Sequence, residues 1–283
     1  MRSQTITVAA AAIVAVGLLL AGCAGSTAPA PAPTEPAFGH VHGIIDLGEG
    51  TVLLGAHTGL YTLTAAGVLA GPVGGNDFDA MGLTAHGDTL YASGHPGPAT
   101  PTELGEHNLG IVRSIDAGAT WEPVAFTGQE DFHVLTATAE AIYGIGSSSI
   151  TVRTSPDGGT TWVDGANLPA VDLAATLDGA LYAATQDGVQ ESRDAGATFA
   201  PVPDAPLLYL LESDPAGGLV GVDTDGALWR LNGAGWERSG TASGTVQALG
   251  TTADGAIVLV DDRGVVWMRG TEATVVLPSG ARS

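Results

Sequence analysis

The sequence predicts an all-β fold: a six-bladed β-propeller built from four-stranded antiparallel sheets, preceded by a signal peptide and a Pro/Ala-rich tether. Three observations predict it. An octapeptide of the form Ser-x-Asp-x-Gly-x-Thr-aromatic occurs three times, starting at Ser114, Ser155 and Ser192. These starts are 41 and 37 residues apart, a spacing typical of stacked supersecondary units such as propeller blades. Around them run short β-rich segments bounded by Gly and Asp, and no long segment carries the apolar period of an amphipathic helix.

Each octapeptide reads as a tight turn between two strands. The carboxylates of Asp116, Asp157 and Asp194 can accept hydrogen bonds from backbone amides ahead of them. Gly118, Gly159 and Gly196 supply backbone angles that a Cβ would resist. Ser114, Thr120, Ser155, Thr161, Ser192 and Thr198 add short hydroxyl side chains, and Trp121, Trp162 and Phe199 are large apolar plugs suited to packing between sheets. These residues resemble the Asp-box (BNR) repeat of sialidase-like β-propellers. The resemblance implies a structural turn, remote from any substrate.

The chain opens with Arg2 and an apolar run from Val8 to Leu20 that ends in Leu20-Ala21-Gly22-Cys23. The run is shorter than the ~20 residues a membrane-spanning helix requires, so residues 1–22 are expected to be a signal peptide. Leu-Ala-Gly-Cys resembles the bacterial lipobox, which implies that Cys23 is acylated and becomes the mature N-terminus. Cys23 is the only cysteine, which excludes an intrachain disulfide. Residues 24–37 are rich in Pro and Ala, have nothing to bury, and favour extended conformations. With Cys23 they form a tether over 23–37. The expected location is the extracytoplasmic face of the cell membrane, with membrane lipid as the partner of Cys23.

From Phe38 to residue 281 the chain divides into six similar pieces of about 41 residues. Their second strands are marked by Thr51-Val-Leu-Leu, Thr89-Leu-Tyr, Ala141-Ile-Tyr, Ala180-Leu-Tyr, Gly218-Leu-Val and Ala256-Ile-Val. Closing such a ring removes exposed strand edges. The second, third and fourth pieces carry the full octapeptide. The fifth ends in the degenerate Leu231-Asn-Gly-Ala-Gly-Trp236, and the first and sixth lack it.

Nine arginines and no lysine face 30 acidic residues, for a net charge of −21. That balance argues against nucleic acid as a partner, because phosphates need cations. It favours solubility outside a cell or attraction to cations. The domain is expected to be a monomer.

All seven histidines lie at or before residue 133. His40 and His42 are two apart at the start of an inner strand, His133 starts the third inner strand, and His57 and His95 follow second strands. In an up-and-down blade these points share one face of the disc. His40, His42, His57, His95 and His133 are therefore candidate ligands for a transition metal such as Zn, Cu, Fe or Ni, gathered at one rim of the channel. Residues 95–109 form an insertion at that face, carrying Glu103, Glu106 and His107. Long loops of this kind are often functional.

Gly39-His-Val-His-Gly43, Ser93-Gly-His-Pro96 and Asp131-Phe-His133, followed by the octapeptides, are similar to a group of bacterial exported Asp-box proteins labelled glycosyl hydrolase-like. The resemblance covers most of residues 38–199. Glycoside hydrolysis needs two carboxylates at suitable separation, and Asp77, Asp79, Asp131 and Asp172 are candidates. Sialidase chemistry itself is disfavoured. Arg113, Arg153 and Arg193 lie beside the octapeptides on outer strands, where they cannot converge on a substrate carboxylate. The sequence leads to a membrane-anchored propeller that binds a metal ion, glycan or other small polar ligand at its rim. Glycoside hydrolysis is the alternative.

Overall fold

The structure, a computed structural model, describes residues 39–280. The expected signal peptide, Cys23, the tether and Phe38 lie outside the described residues. Six four-stranded sheets follow one another along the chain, each strand hydrogen-bonded to its sequence neighbour. The first blade comprises β1 (Val41–Gly48), β2 (Thr51–Ala56), β3 (Gly59–Thr64) and β4 (Leu69–Ala70). The second comprises β5 (Asp79–His86), β6 (Thr89–His95), β7 (Ile111–Ser114) and β8 (Glu122–Ala125). The third runs through β9 (Phe132–Ala137), β10 (Ile142–Gly146), β11 (Thr151–Ser155) and β12 (Val163–Asn167). The fourth is β13 (Ala170–Ala175), β14 (Leu181–Thr185), β15 (Gly188–Ser192) and β16 (Ala200–Pro201). The fifth is β17 (Leu208–Ser213), β18 (Leu219–Asp223), β19 (Ala227–Asn232) and β20 (Gly235–Thr241), and the sixth β21 (Ala248–Thr251), β22 (Ile257–Asp261), β23 (Gly264–Arg269) and β24 (Glu272–Pro278). All six second-strand markers fall on β2, β6, β10, β14, β18 and β22, as the sequence predicts.

The inner strands β1, β5, β9, β13, β17 and β21 pack side by side in that order, and β21 packs against β1 to close a six-bladed β-propeller. Closure is apolar. Val41, Ile44, Val52 and Leu54 of the first blade share one buried cluster with Val258, Val260, Val265 and Trp267 of the sixth. Burying such side chains contributes about 1.5–3 kcal/mol each. Polar contacts cross the same seam: Ala253 N donates to Asp46 Oδ2 at 2.7 Å, and Val41 N to Gln247 Oε1 at 3.3 Å. Neighbouring inner strands approach so closely that a Cβ on Gly82 would lie 2.3 Å from the Phe132 carbonyl oxygen.

The three octapeptides join the third and fourth strands of their blades. In each, one carboxylate does three jobs. Asp116 accepts Ser114 Oγ at 2.8 Å, Thr120 N at 2.9 Å and Thr120 Oγ1 at 2.6 Å. Asp157 and Asp194 repeat the pattern with Ser155, Thr161, Ser192 and Thr198. Gly118, Gly159 and Gly196 have φ of 87°, 90° and 82°, the left-handed region that glycine tolerates. The indole N–H groups of Trp121 and Trp162 donate to the Gly118 and Gly159 carbonyls. Since strand direction alternates, these turns occupy the face of the disc opposite the starts of the inner strands. They are scaffold.

A second repeated feature concerns the other face. The inner strands of the first five blades each carry one extra residue near their start, whereas β21 pairs with β22 in unbroken register. In β1, Val41 pairs with Ala56 and Gly43 with Gly55, leaving His42 unpaired. Met81, His133, Val171 and Tyr209 hold the same place in β5, β9, β13 and β17. Such β-bulges re-aim a side chain and are frequent beside functional sites.

Candidate metal centre

The candidate histidines share one face of the disc, where inner strands begin and second strands end. The structure divides them into two groups rather than one.

The first group straddles the first two blades. His42 is the bulge residue of β1, His57 follows the end of β2, and Asp79 opens β5. His57 Nδ1 is 2.7 Å from Asp79 Oδ2, His42 Nε2 is 3.3 Å from Asp79 Oδ1, and the two ring nitrogens are 3.2 Å apart. His40 packs against both rings, with centroids 4.8 Å from His42 and 5.8 Å from His57. Burial pushes the Asp79 carboxyl up. Hydrogen bonds and positive charge from His42 and His57 outweigh it and hold the group below the usual carboxylate range. Asp79 Oδ1 is buried with no hydrogen bond directed at it.

The second group straddles the second and third blades. His95 ends β6, Asp131 immediately precedes β9, and His133 is the bulge residue of β9. Asp131 Oδ2 is 2.5 Å from His133 Nε2 and 3.4 Å from His95 Nε2. The Asp131 side chain is 6% exposed, and its Oδ2 also lacks a directed hydrogen bond. In both groups a histidine ending one blade's second strand faces an aspartate at the head of the next blade's inner strand. Each set of three donor atoms lies within 4.8 Å, a span compatible with the ~3.3 Å donor separations implied by tetrahedral Zn–N and Zn–O bonds of ~2.0–2.2 Å. Three such donors would leave one position of a tetrahedral ion open, as in catalytic rather than structural zinc sites.

The sequence placed all of these histidines around a single mouth. The division follows the blade junctions, because His57 at the end of the first blade's second strand meets Asp79 of the second blade and His95 at the end of the second blade's meets Asp131 of the third. Asp79 and Asp131, proposed from the sequence as carboxylates for catalysis, fall among the histidines. Asp77 does not. Its oxygens accept Ala99 N at 2.7 Å and Thr100 Oγ1 at 2.9 Å, pinning the insertion. The insertion is held further by Leu104 and Leu109, buried in the core of the second blade, while Glu103 and Glu106 are exposed. The arginines are taken up locally: Arg113 by Glu122, Arg153 by Glu130 and Asp164, Arg193 by Asp178 and Glu191, Arg230 by Asp214.

The central channel contains a cavity of about 210 Å³. His42 and His133, one from each group, line it, with Asp172 on β13 and Glu212 on β17. Among the described residues no arginine lines it. Burial pushes the Asp172 carboxyl up to about 7, against hydrogen bonds from the Leu211 and Leu173 amides, and the charge of Glu212 adds to the rise. Burial likewise pushes Glu212 up to about 7, against the amide and hydroxyl of Ser213. Glu212 was not singled out from the sequence. Its signal was an acid interrupting the apolar run Leu208-Tyr-Leu-Leu-Glu212.

No protein-family model and no curated protein sequence matches the chain. Solved structures do. Virginiamycin B lyase from Staphylococcus aureus is 14% identical with a TM-score of 0.53, over 83% of this chain and 83% of that one. A streptogramin B lyase is 12% identical with a TM-score of 0.53, over 80% and 92%. The Niastella koreensis GH74 enzyme is 16% identical with a TM-score of 0.56, over 86% and 45%. They share the propeller fold with this chain. Identities this low carry architecture and no chemistry, so the site must be argued from its own residues.

The channel carboxyls generate a pH prediction. A carboxyl whose pKa is raised by folding costs stability once it ionises. The cost is absent below the unfolded value of ~4.3 for Glu, grows as pH rises towards about 7, and is complete above it. Glu212→Gln keeps the acceptor oxygen for Ser213 and removes the charge. Thermal melts are expected to show the variant more stable at pH 8 by about 2–4 °C, the shift that ~1 kcal/mol produces in a domain this size. The gain should vanish at pH 4.

Proposed function

We propose that this chain is a membrane-anchored extracytoplasmic lipoprotein whose propeller binds a transition-metal ion at its histidine-rich rim. The observation that carries the metal reading is the set of contacts among His42 Nε2, His57 Nδ1 and both Asp79 oxygens, at 2.7–3.3 Å. Two imidazoles and a carboxylate in such a group are a borderline-soft donor set, suited to Zn, Fe, Ni or Cu. An unpaired buried carboxylate oxygen is costly, and a metal ion would satisfy it. The open coordination position and the adjoining cavity leave room for a small polar ligand.

The anchor reading rests on Leu20-Ala-Gly-Cys23 and the tether behind it. Acyl chains on Cys23 would contribute ~0.8 kcal/mol per buried methylene. The tether would then hold the disc off the bilayer.

A second reading, glycoside hydrolysis, is favoured by Asp172 and Glu212. With Asp77 committed to the insertion, Asp79 and Asp131 among the histidines, and Asp46 held by the Gly48 and Ala253 amides, these two are the cavity-lining carboxyls that burial pushes up. Values of about 7 place them where one group can donate and another accept a proton near neutrality.

Three outcomes test these readings. The purified full-length chain in detergent, dialysed against Zn²⁺, should retain metal, and His42→Ala should weaken binding at the first group at least ~10-fold. Substoichiometric metal indifferent to His42→Ala dismisses that site. Cys23→Ala should move the protein from the membrane fraction to the soluble one, and a variant that stays in the membrane dismisses the anchor. Turnover on an oligosaccharide panel that disappears in Glu212→Gln would establish the hydrolase reading, and a wild-type chain inert on the whole panel would remove it.

A further inference from the structure

Asp131 is the most buried of the carboxylates facing the rim, and its two oxygens have different surroundings. Oδ1 accepts the Ser147 hydroxyl at 2.5 Å, and the Ser147 amide donates to the Asp131 carbonyl at 2.9 Å, so the residue is fixed in place. Oδ2 is buried without a directed hydrogen bond, yet two imidazole nitrogens face it.

The tautomer of His95 is fixed by the insertion. Its Nδ1 is 3.3 Å from the backbone carbonyl of His107. A carbonyl only accepts, so Nδ1 must carry the proton. In the neutral ring Nε2 is then a bare lone pair, 3.4 Å from Asp131 Oδ2. Two lone pairs facing one another across that distance repel unless a cation lies between them. The chain has no lysine, and the nearest blade's guanidinium, Arg153, is taken by Glu130 and Asp164. A backbone carbonyl holding the far nitrogen of an imidazole is the usual outer shell of a metal-bound histidine.

We propose that His95, Asp131 and His133 form a second, independent site for a divalent transition-metal ion, with the 95–109 insertion as the shell that orients His95. His95 and His133 remain close to half exposed, at 45% and 42%, so the ion has an entry path from the disc face and keeps an open position. The site uses no residue of the His42–His57–Asp79 group, and either site can hold if the other fails. The insertion thus acquires a role: it brings a carbonyl to one ring nitrogen, and the sequence of its own side chains matters less than its path.

The test is equilibrium dialysis of the full-length chain in detergent against Zn²⁺, with elemental analysis. The wild type is expected to bind two equivalents. His95→Ala and Asp131→Asn should each remove one equivalent, and Asp79→Asn should remove the other. His95 is exposed enough for the alanine variant to fold, which near-ultraviolet circular dichroism checks. His107→Ala should leave both equivalents in place, because only its backbone contributes. An equivalent that survives in both His95→Ala and Asp131→Asn, with Asp79→Asn alone reducing the count, overturns the second site. One equivalent lost in His95→Ala and untouched by Asp79→Asn would instead overturn the first site and leave the second standing. A wild type that binds no Zn²⁺ overturns both.

Discussion

Packing between neighbouring inner strands governs this molecule. Each blade alone is a four-stranded meander with two apolar faces, and neither face can be buried within the blade. Valines, leucines and isoleucines of one sheet are buried by those of the next, and the seam between the sixth and first blades is sealed by Val41, Ile44, Val258 and Val265 in the same way. Closure follows from that requirement, since an open array would leave one face at each end in water. It also brings residues some 200 positions apart, such as Asp46 and Ala253, into hydrogen-bond contact.

Within that constraint the two faces of the disc are specialised. The face bearing the octapeptide turns is stiff: each aspartate closes its own turn with side-chain and backbone donors a few residues away, and these groups need no partner elsewhere. At the opposite face an extra residue in the inner strands of the first five blades breaks the pairing and turns one side chain out of the ladder. Position for position this residue is His42, Met81, His133, Val171 and Tyr209 in the first five blades. The backbone device is the same in these five blades. The chemistry depends on which side chain occupies it, and imidazole occupies it in the two blades that flank the second.

Blade number, strand order and the turns were legible in the sequence because they are local and periodic: a turn is written in eight consecutive residues, and a second strand in three or four. The histidine face was legible too, since the chain holds no histidine beyond 133 and up-and-down order fixes which strand ends coincide. Partnership was not. Asp79 meets His57 and Asp131 meets His95 across a blade boundary, in contacts between different sheets that leave no composition signal. Asp77 and Asp79, two residues apart, look equivalent in sequence, yet the first faces the insertion and the second the imidazoles. Glu212 was hidden by its apolar neighbours, which mark it as interior while concealing that the interior there is a channel.

Charge explains why the unsettled carboxylates occur where they do. With 30 acids and nine arginines, most carboxylates must be satisfied without a guanidinium. The octapeptide aspartates solve this with amides and hydroxyls, and the outer strands consume Arg113, Arg153, Arg193 and Arg230 in local pairs. Among the carboxylates without a guanidinium are Asp79 and Asp131 at the rim and Asp172 and Glu212 in the channel, where no arginine among the described residues lines the cavity. Two of them meet imidazoles and two are pushed up to about 7. A strongly acidic surface raises the local concentration of cations, and these four groups add negative charge at the rim and axis of the ring. The rim and channel of this propeller therefore set carboxylates beside imidazoles or deep in the interior, with no arginine among the described residues lining the cavity to neutralise them.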